Sequence, residues 1–155
     1  MLIGIISDTH SNHGRLKIAR PHLEKMDIVI HCGDWTSPDM IQHFKGMTCH
    51  GVFGNCDFGH ERFRGGPVTF HEPYLLLTVD GIRIGACHGD DPILIHELLD
   101  KEIDLLLSGH THRASMQKRG YAHHINPGSL AKPKDGTASY AVFDTNKKEG
   151  KIFRL

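Results

Sequence analysis

Two histidines one residue apart, in Gly109-His110-Thr111-His112, stand directly after the apolar run Ile103-Asp104-Leu105-Leu106-Leu107-Ser108. Imidazoles at that spacing, just past a buried strand, can reach one metal ion or two adjacent ones. Four further polar motifs follow similar apolar runs: Ser7-Asp8-Thr9-His10, Cys32-Gly33-Asp34, Gly54-Asn55-Cys56-Asp57 and Cys87-His88-Gly89. In an α/β sheet, residues just past the carboxyl ends of strands line one crevice, where ligands bind. Five motifs in that position predict one site, with Asp8, His10, Asp34, Asn55, His88, His110 and His112 as its candidate ligands. That set is too large for one ion and suits two, especially with a bridging carboxylate. Imidazole and carboxylate together favour Mn, Fe, Ni, Co or Zn over Ca or Mg, and no thiolate is required, which argues against a closed structural zinc site. Two divalent ions bring about four positive charges, of which Asp8, Asp34 and a bridging hydroxide cancel about three. Such a site attracts a phosphate and stabilises the charge it gains in a transition state.

Each motif alone has a plainer reading. Asp8 could cap a helix, Gly33-Asp34 and Asn55 could be turn residues, and His88 could bond to backbone at a strand end. Their common placement favours ligation. His31, Cys32 and Cys87 read as core residues or neighbours of the site. His123-His124 resembles a metal tract, but alternation along a strand puts the two on opposite faces. Most of the remaining histidines, of 14 in the chain, read as surface residues.

The elements that must position the motifs alternate in type. Leu2 to Ile6 is a short, continuously apolar strand. Asn12 or Ser11 can cap a helix to about Lys25 with Leu16, Ala19 and Leu23 on one face, kinked or restarted at Pro21. Asp27 to His31 is a second strand, and Ser37 with Pro38 opens a second helix to about Lys45. His50 to Phe53 is a third strand, and these β-α-β units argue for a parallel sheet. Phe58 to Pro73 lacks periodicity and reads as a loop near the site. Leu75–Val79 and Ile82–Ala86 form a hairpin across Asp80-Gly81. Asp91 caps and Pro92 starts a helix to about Lys101, and Ile103 to Leu107 is another strand. Beyond His112 the pattern is all-β: Arg113–Lys118 pairs with Tyr121–Ile125 across Arg119-Gly120, Asn126-Pro127-Gly128-Ser129 turns, and Ser139–Asp144 with Lys151–Leu155 closes the fold around Lys147 to Gly150.

At 155 residues, with no internal repeat or linker, the chain reads as a single domain over 1–155. Its net charge is zero with His neutral, so no basic field marks a dedicated nucleic-acid binder. No apolar run approaches membrane-spanning length, and Met1 to Ile6 is too short for a signal peptide, so the reading is cytoplasmic. The four cysteines form no CxxC pair and read as reduced thiols.

Asp8-x-His10, Gly33-Asp34, Gly54-Asn55, His88-Gly89 and Gly109-His110-Thr111-His112 together resemble the calcineurin-like metallophosphoesterases, in that family's order and over residues 1 to about 131. Asn126-Pro127-Gly128-Ser129 resembles the small prokaryotic phosphodiesterase branch. The resemblance implies a four-layer α/β/β/α sandwich of two facing mixed sheets. It implies that Asp8, His10, Asp34 and His112 hold one divalent transition metal and Asp34, Asn55, His88 and His110 the other, with Asp34 bridging and Mn as first choice over Ni, Fe, Co or Zn. The implied chemistry is in-line attack on phosphorus by a metal-bridging hydroxide, with no covalent enzyme intermediate. The chain departs from the wider family at Cys56, where a His usually helps protonate the leaving group. A thiol is shorter and a poorer hydrogen-bonding partner, so small, activated phosphodiesters are favoured over monoesters. Arg62 and Arg64 are candidate contacts for a substrate phosphate, against the commoner role of solvated loop charges. A phosphomonoesterase is the enzymatic alternative. A protein-interaction scaffold, like the retromer subunit that shares the fold with a degraded metal site, is the alternative from another class. A second copy of the chain could pack on Phe58 to Pro73, making a homo-oligomer.

Overall fold

The apolar runs become strands of two facing sheets in the computed structural model, which describes residues 1–155. Strand β1 (Leu2–Ile6), helix α1 (His13–Leu23), β2 (Ile28–His31), β3 (Cys49–Val52) and β4 (Val68–His71) build the parallel part of the first sheet. The hairpin β5 (Leu75–Val79) and β6 (Ile82–Ala86) starts the second sheet. Helix α2 (Pro92–Asp100), β7 (Leu105–Leu107), β8 (Ala114–Arg119) and β9 (Ala122–Pro127) follow. The chain then returns to the first sheet as β10 (Ser139–Asp144) and β11 (Glu149–Arg154). The first sheet has the order β11-β10-β1-β2-β3-β4, with β10 antiparallel to β1 and to β11; the second has the order β5-β6-β7-β9-β8, with β6, β7 and β9 parallel and β5 and β8 antiparallel at its edges.

Strand alternation sorts the apolar residues into three layers of contact. Ile3, Ile5, Ile28, Ile30 and Val52 of the first sheet meet Leu75, Ile84, Leu105, Leu107 and Ile125 of the second. Ile6 and Val29, on the other face, pack under Leu16, Ala19 and Leu23 of α1 and under Met40, Ile41 and Phe44. Leu106 and Ala122 pack under Leu98 of α2. The result is the four-layer α/β/β/α sandwich. Each fully buried leucine in these layers is worth about 2–5 kcal/mol against truncation to alanine.

Capping fixes both helices where the sequence suggests. Asn12 accepts from the Arg15 N–H at the start of α1, and Asp91 accepts from the Ile93 N–H ahead of Pro92. Four expectations need correction, beside the closing turn, which spans residues 145–148 rather than Lys147 to Gly150 because Asp144 pairs with Glu149. Pro21 does not break α1; the helix runs through it and stops at Leu23, so the donor that proline lacks falls in the last turn. Pro38–Phe44 is a 3₁₀ segment rather than an α-helix, and the Ser37 hydroxyl bonds to Asp39 instead of capping the backbone. Phe58 to Pro73 is not one loop: it holds a 3₁₀ turn, His60–Phe63, and β4, which pairs with β3 as the edge of the first sheet. The turn between β8 and β9 is Gly120-Tyr121, one residue later than expected, with Arg119 opposite Ala122. No helix is long and apolar enough to cross a membrane.

Candidate metal centre

All seven candidate ligands lie in the loops that leave the carboxyl ends of β1, β2, β3, β6 and β7, on one end of the facing sheets. Backbone bonds knit those loops together. The Asp8 N–H donates to the Gly33 carbonyl (3.0 Å), the His10 N–H to the Asp34 carbonyl (3.0 Å) and the Gly109 N–H to the His88 carbonyl (2.8 Å). Two glycines permit the approach: a Cβ on Gly54 would lie 2.3 Å from Asp34 Oδ1, and one on Gly109 would lie 1.9 Å from Ser7 Oγ and 2.7 Å from Asp8 Oδ2. The turns are tight enough to force five of the ligand positions, Asp8, His10, Asp34, His110 and His112, to positive φ, between 40° and 65°. Non-glycine residues visit that region rarely, and such strain gathers at functional sites.

The side chains converge on two neighbouring points. Around the first, Asp8, His10, Asp34 and His112 each offer a ligand atom, all within 4.8 Å of one another. The His10 Nε2 lies 3.5 Å from Asp34 Oδ2 and 3.2 Å from the His112 Nε2. The His112 Nδ1 is 2.8 Å from the Lys132 carbonyl and must donate to it, so its Nε2 presents a lone pair. Asp8 Oδ1 is buried and has no hydrogen-bond partner, although that lone pair lies 3.1 Å away. Around the second point, Asn55 Oδ1 lies 3.1 Å from the His88 Nε2 and 3.2 Å from the His110 Nδ1, and the His88 Nε2 lies 3.4 Å from Asp34 Oδ1. The His88 Nδ1 donates to the Cys32 carbonyl (2.8 Å), which aims its Nε2 inward. Asp34 faces both points through its two oxygens.

Lone pairs and carboxylate oxygens packed this closely repel one another unless a cation joins them, and an orphaned buried carboxylate oxygen is costly. The donor set therefore fits divalent metal ions. The electrostatics point the same way. Burial raises the Asp8 carboxyl. Burial also opposes ionisation of Asp34, yet bonds from His88 and the Cys56 backbone hold its carboxyl well below the usual range. Burial disfavours a charged His88, but the adjacent Asp34 outweighs it and raises the imidazole to about 9. A field that draws a proton this strongly draws a divalent cation for the same reason.

Around the candidate ligands stand residues whose specific contacts the sequence does not reveal. Asp57, three residues past Gly54, is buried and accepts from three backbone N–H groups: Asp34 (2.9 Å), Gly54 (2.8 Å) and Thr36 (2.7 Å). Its carboxylate clamps the loop after β2 to the loop after β3. His31, at the end of β2, accepts from the Gly33 N–H and bonds through Nε2 to Thr9 (3.1 Å), stacked on Trp35 with ring centroids 3.6 Å apart. Burial pushes its pKa well below the ordinary value, so it stays neutral. Asn126 donates to the Gly109 carbonyl (2.7 Å) and to Thr111 (3.0 Å), and Ser129 donates to the Asp8 carbonyl (2.9 Å). The Asn-Pro-Gly-Ser motif thus borders the site through these two side chains.

Cys56 lies in the same loop, half-buried, with its Sγ 3.6 Å from the Asn55 amide; burial and the neighbouring Asp34 push its thiol pKa up. Arg62 and Arg64 are exposed, and neither lines the cleft that opens on Asn55; Arg64 borders a separate small cavity with His60 and Gly65. All four cysteines are free thiols. The remaining histidines are less often bare surface than expected. His31 and His124 are buried, and His13 pairs with His43 (2.8 Å) and His50 with His71 (3.0 Å), while His22 and His96 are exposed.

Known proteins share both sequence and shape with this chain. The model of the calcineurin-like phosphoesterase superfamily domain matches residues 1–148. A probable metallophosphoesterase of Methanocaldococcus jannaschii is 32% identical over 146 residues, covering 86% of this chain and 70% of the relative. The solved structure of an archaeal phosphodiesterase superposes with a TM-score of 0.90 at 25% identity, over 100% of both chains. Vps29 of Entamoeba histolytica, solved in complex with zinc, superposes with a TM-score of 0.70 over 100% of this chain and 98% of its own, at 19% identity, a likeness of fold alone. The chain belongs to the calcineurin-like phosphoesterase superfamily.

Proposed function

We propose that this phosphoesterase hydrolyses small phosphodiesters at a dinuclear centre. Asp8, His10, Asp34 and His112 hold one divalent transition-metal ion, Asp34, Asn55, His88 and His110 hold the other, and Asp34 bridges them. The donor set suits Mn, Ni, Fe, Co or Zn, and the family resemblance puts Mn first. The observation that carries the reading is the convergence of Asp8, His10, Asp34 and His112 on one point, with Asn55, His88 and His110 gathered at the other oxygen of Asp34 and with Asp8 Oδ1 buried and without a hydrogen-bond partner. When bound, two such ions supply an activated water nucleophile and Lewis-acid stabilisation of a phosphoryl oxygen. The chain supplies orientation. Carbonyls of Cys32 and Lys132 fix the tautomers of His88 and His112, and Asp57 holds the Asp34 and Gly54 backbones.

Cys56 favours diesters. A thiol reaches less far than an imidazole and donates a weaker hydrogen bond, so a poor leaving group is not well protonated. The name of the superposed archaeal phosphodiesterase supports the same choice. A protein-binding scaffold would have no need of seven converging ligand groups, five of them held at strained backbone angles.

The test is hydrolysis of bis-p-nitrophenyl phosphate against p-nitrophenyl phosphate by protein stripped of metal and refilled in turn with Mn, Ni, Co and Zn. Metal-dependent cleavage that favours the diester, abolished in Asp34→Asn, is the expected result. Cys56→His should raise monoester hydrolysis relative to diester hydrolysis. No turnover with any metal, despite two bound ions per chain, would move the assignment to a scaffold.

A further inference from the structure

A cleft of about 630 Å³ opens beside the candidate centre, and Asn55 forms part of its wall. Its position makes it the natural seat for an organic substituent on a phosphorus atom held at the metals. Its charge is one-sided. Glu72, Asp90 and Asp91 line it, with His60 and His71, and no lysine or arginine does. Two of the three carboxylates have structural partners: Asp91 caps α2 through the Ile93 N–H (2.8 Å), and Glu72 is paired with His60, whose other ring nitrogen lies 3.1 Å from the Asp57 carbonyl. Asp90 is exposed beside Asp91, committed neither to the cap nor to an ion pair. The positive charge that bound metals would bring and the negative charge in the cleft would thus lie side by side. That pattern is complementary to a molecule with a phosphate at one end and a cation at the other.

We propose that the cleft takes a substituent bearing an amino or quaternary ammonium group, so that the preferred substrate is a zwitterionic amino-alcohol phosphodiester. Resting on the phosphodiesterase reading, this sharpens it to a substrate class. A second phosphate or a carboxylate on that substituent would face three carboxylates with no lysine or arginine among the lining residues, so diesters of nucleoside bisphosphates and other doubly anionic compounds are disfavoured.

The experiment holds the leaving group constant. Metal-loaded protein is assayed with three p-nitrophenyl diesters whose other substituent is choline, ethyl or a 3′-phosphorylated nucleoside. The expected ranking of kcat/KM is choline, then ethyl, then the nucleoside phosphate. Adjacent steps should differ by about fivefold, carried mainly by KM, which is the scale of a few partly screened charge pairs. Asp90→Lys should compress or invert the choline-to-nucleoside-phosphate ratio, and Glu72→Gln should reduce it less, because the Glu72 carboxylate is already tied to the His60 ring. The proposal is overturned by equal kcat/KM for the three esters, by preference for the nucleoside phosphate, or by a ratio that Asp90→Lys leaves unmoved. In each of those cases diesters are still cleaved and the phosphodiesterase reading stands. No turnover of any ester overturns both.

Discussion

Asp8, His10 and His112 gather at one oxygen of Asp34, and Asn55, His88 and His110 at the other, and the two groups are not alike. The first has two carboxylates, Asp8 and Asp34, both buried, with imidazoles only 9% and 13% exposed. The second has a share of Asp34 and a neutral, exposed carboxamide, Asn55, set between a buried His88 and a half-buried His110. Its ligands carry less negative charge and one of them is held less firmly. Cation affinity follows ligand charge and rigidity, so the pair should bind its ions unequally, the Asp8 side tightly and the Asn55 side loosely.

The sharpest way to break that inequality is Asp8→Asn. It removes the charge that distinguishes the tight side and should cost about 10²–10³-fold in kcat, with tightly bound metal falling from about one ion per chain to well below one by elemental analysis. Asn55→Ala should act on the loose side alone. Affinity for the second ion should fall about 10–100-fold, and excess metal should restore much of the activity, which it should not do for Asp8→Asn. Asp57→Ala leaves three buried backbone N–H groups without an acceptor and should cost about 3 kcal/mol by urea denaturation. Because one of those groups belongs to Gly54, next to Asn55, the loose side should lose its ion first.

The smallest effect lies away from both groups and serves as their control. His124 is buried, accepts from Arg119 and bonds to Ser108, and burial followed by the nearby Arg119 lowers its pKa to about 4. The folded state resists its protonation while the unfolded state does not. Its contribution to stability is therefore full above about pH 6.5 and is lost as pH falls toward 4, an upper bound of about 3 kcal/mol that solvent screening lowers to about 2. His124→Gln should flatten the stability profile across that window without changing the metal content.

The strands that carry the site were legible because each is a short apolar run ending in a polar motif, and burial on both faces leaves little else for such a run to be. The helix caps Asn12 and Asp91 were legible from side-chain chemistry alone. β4 was not, because Val-Thr-Phe-His is four residues long, lies at a sheet edge and follows two glycines, so no pattern outlasts the noise. The 3₁₀ form of Pro38–Phe44 was equally hidden, since Ser-Pro opens either kind of helix. Asp57 lies within Gly54-Asn55-Cys56-Asp57 and still carries no sequence signal of its role, because a carboxylate that serves only backbone donors has no partner in the sequence to point to. The unequal halves of the centre, too, depend on distances between loops that are far apart along the chain.

Five of the candidate ligand positions sit at positive φ, and this bears on how the protein matures. A left-handed residue that is not glycine costs about 1–2 kcal/mol, and a short peptide avoids it. A fragment carrying Gly109 to Arg113, or the first dozen residues, would relax to ordinary backbone angles and chelate, if at all, in some other shape. The backbone geometry of these candidate ligands is imposed by β1, β2 and β7 once both sheets have closed. Metal capture should therefore trail folding rather than drive it, with the chain collapsing to its native sheets in a chelating buffer and acquiring ions afterwards, the reverse of a zinc finger.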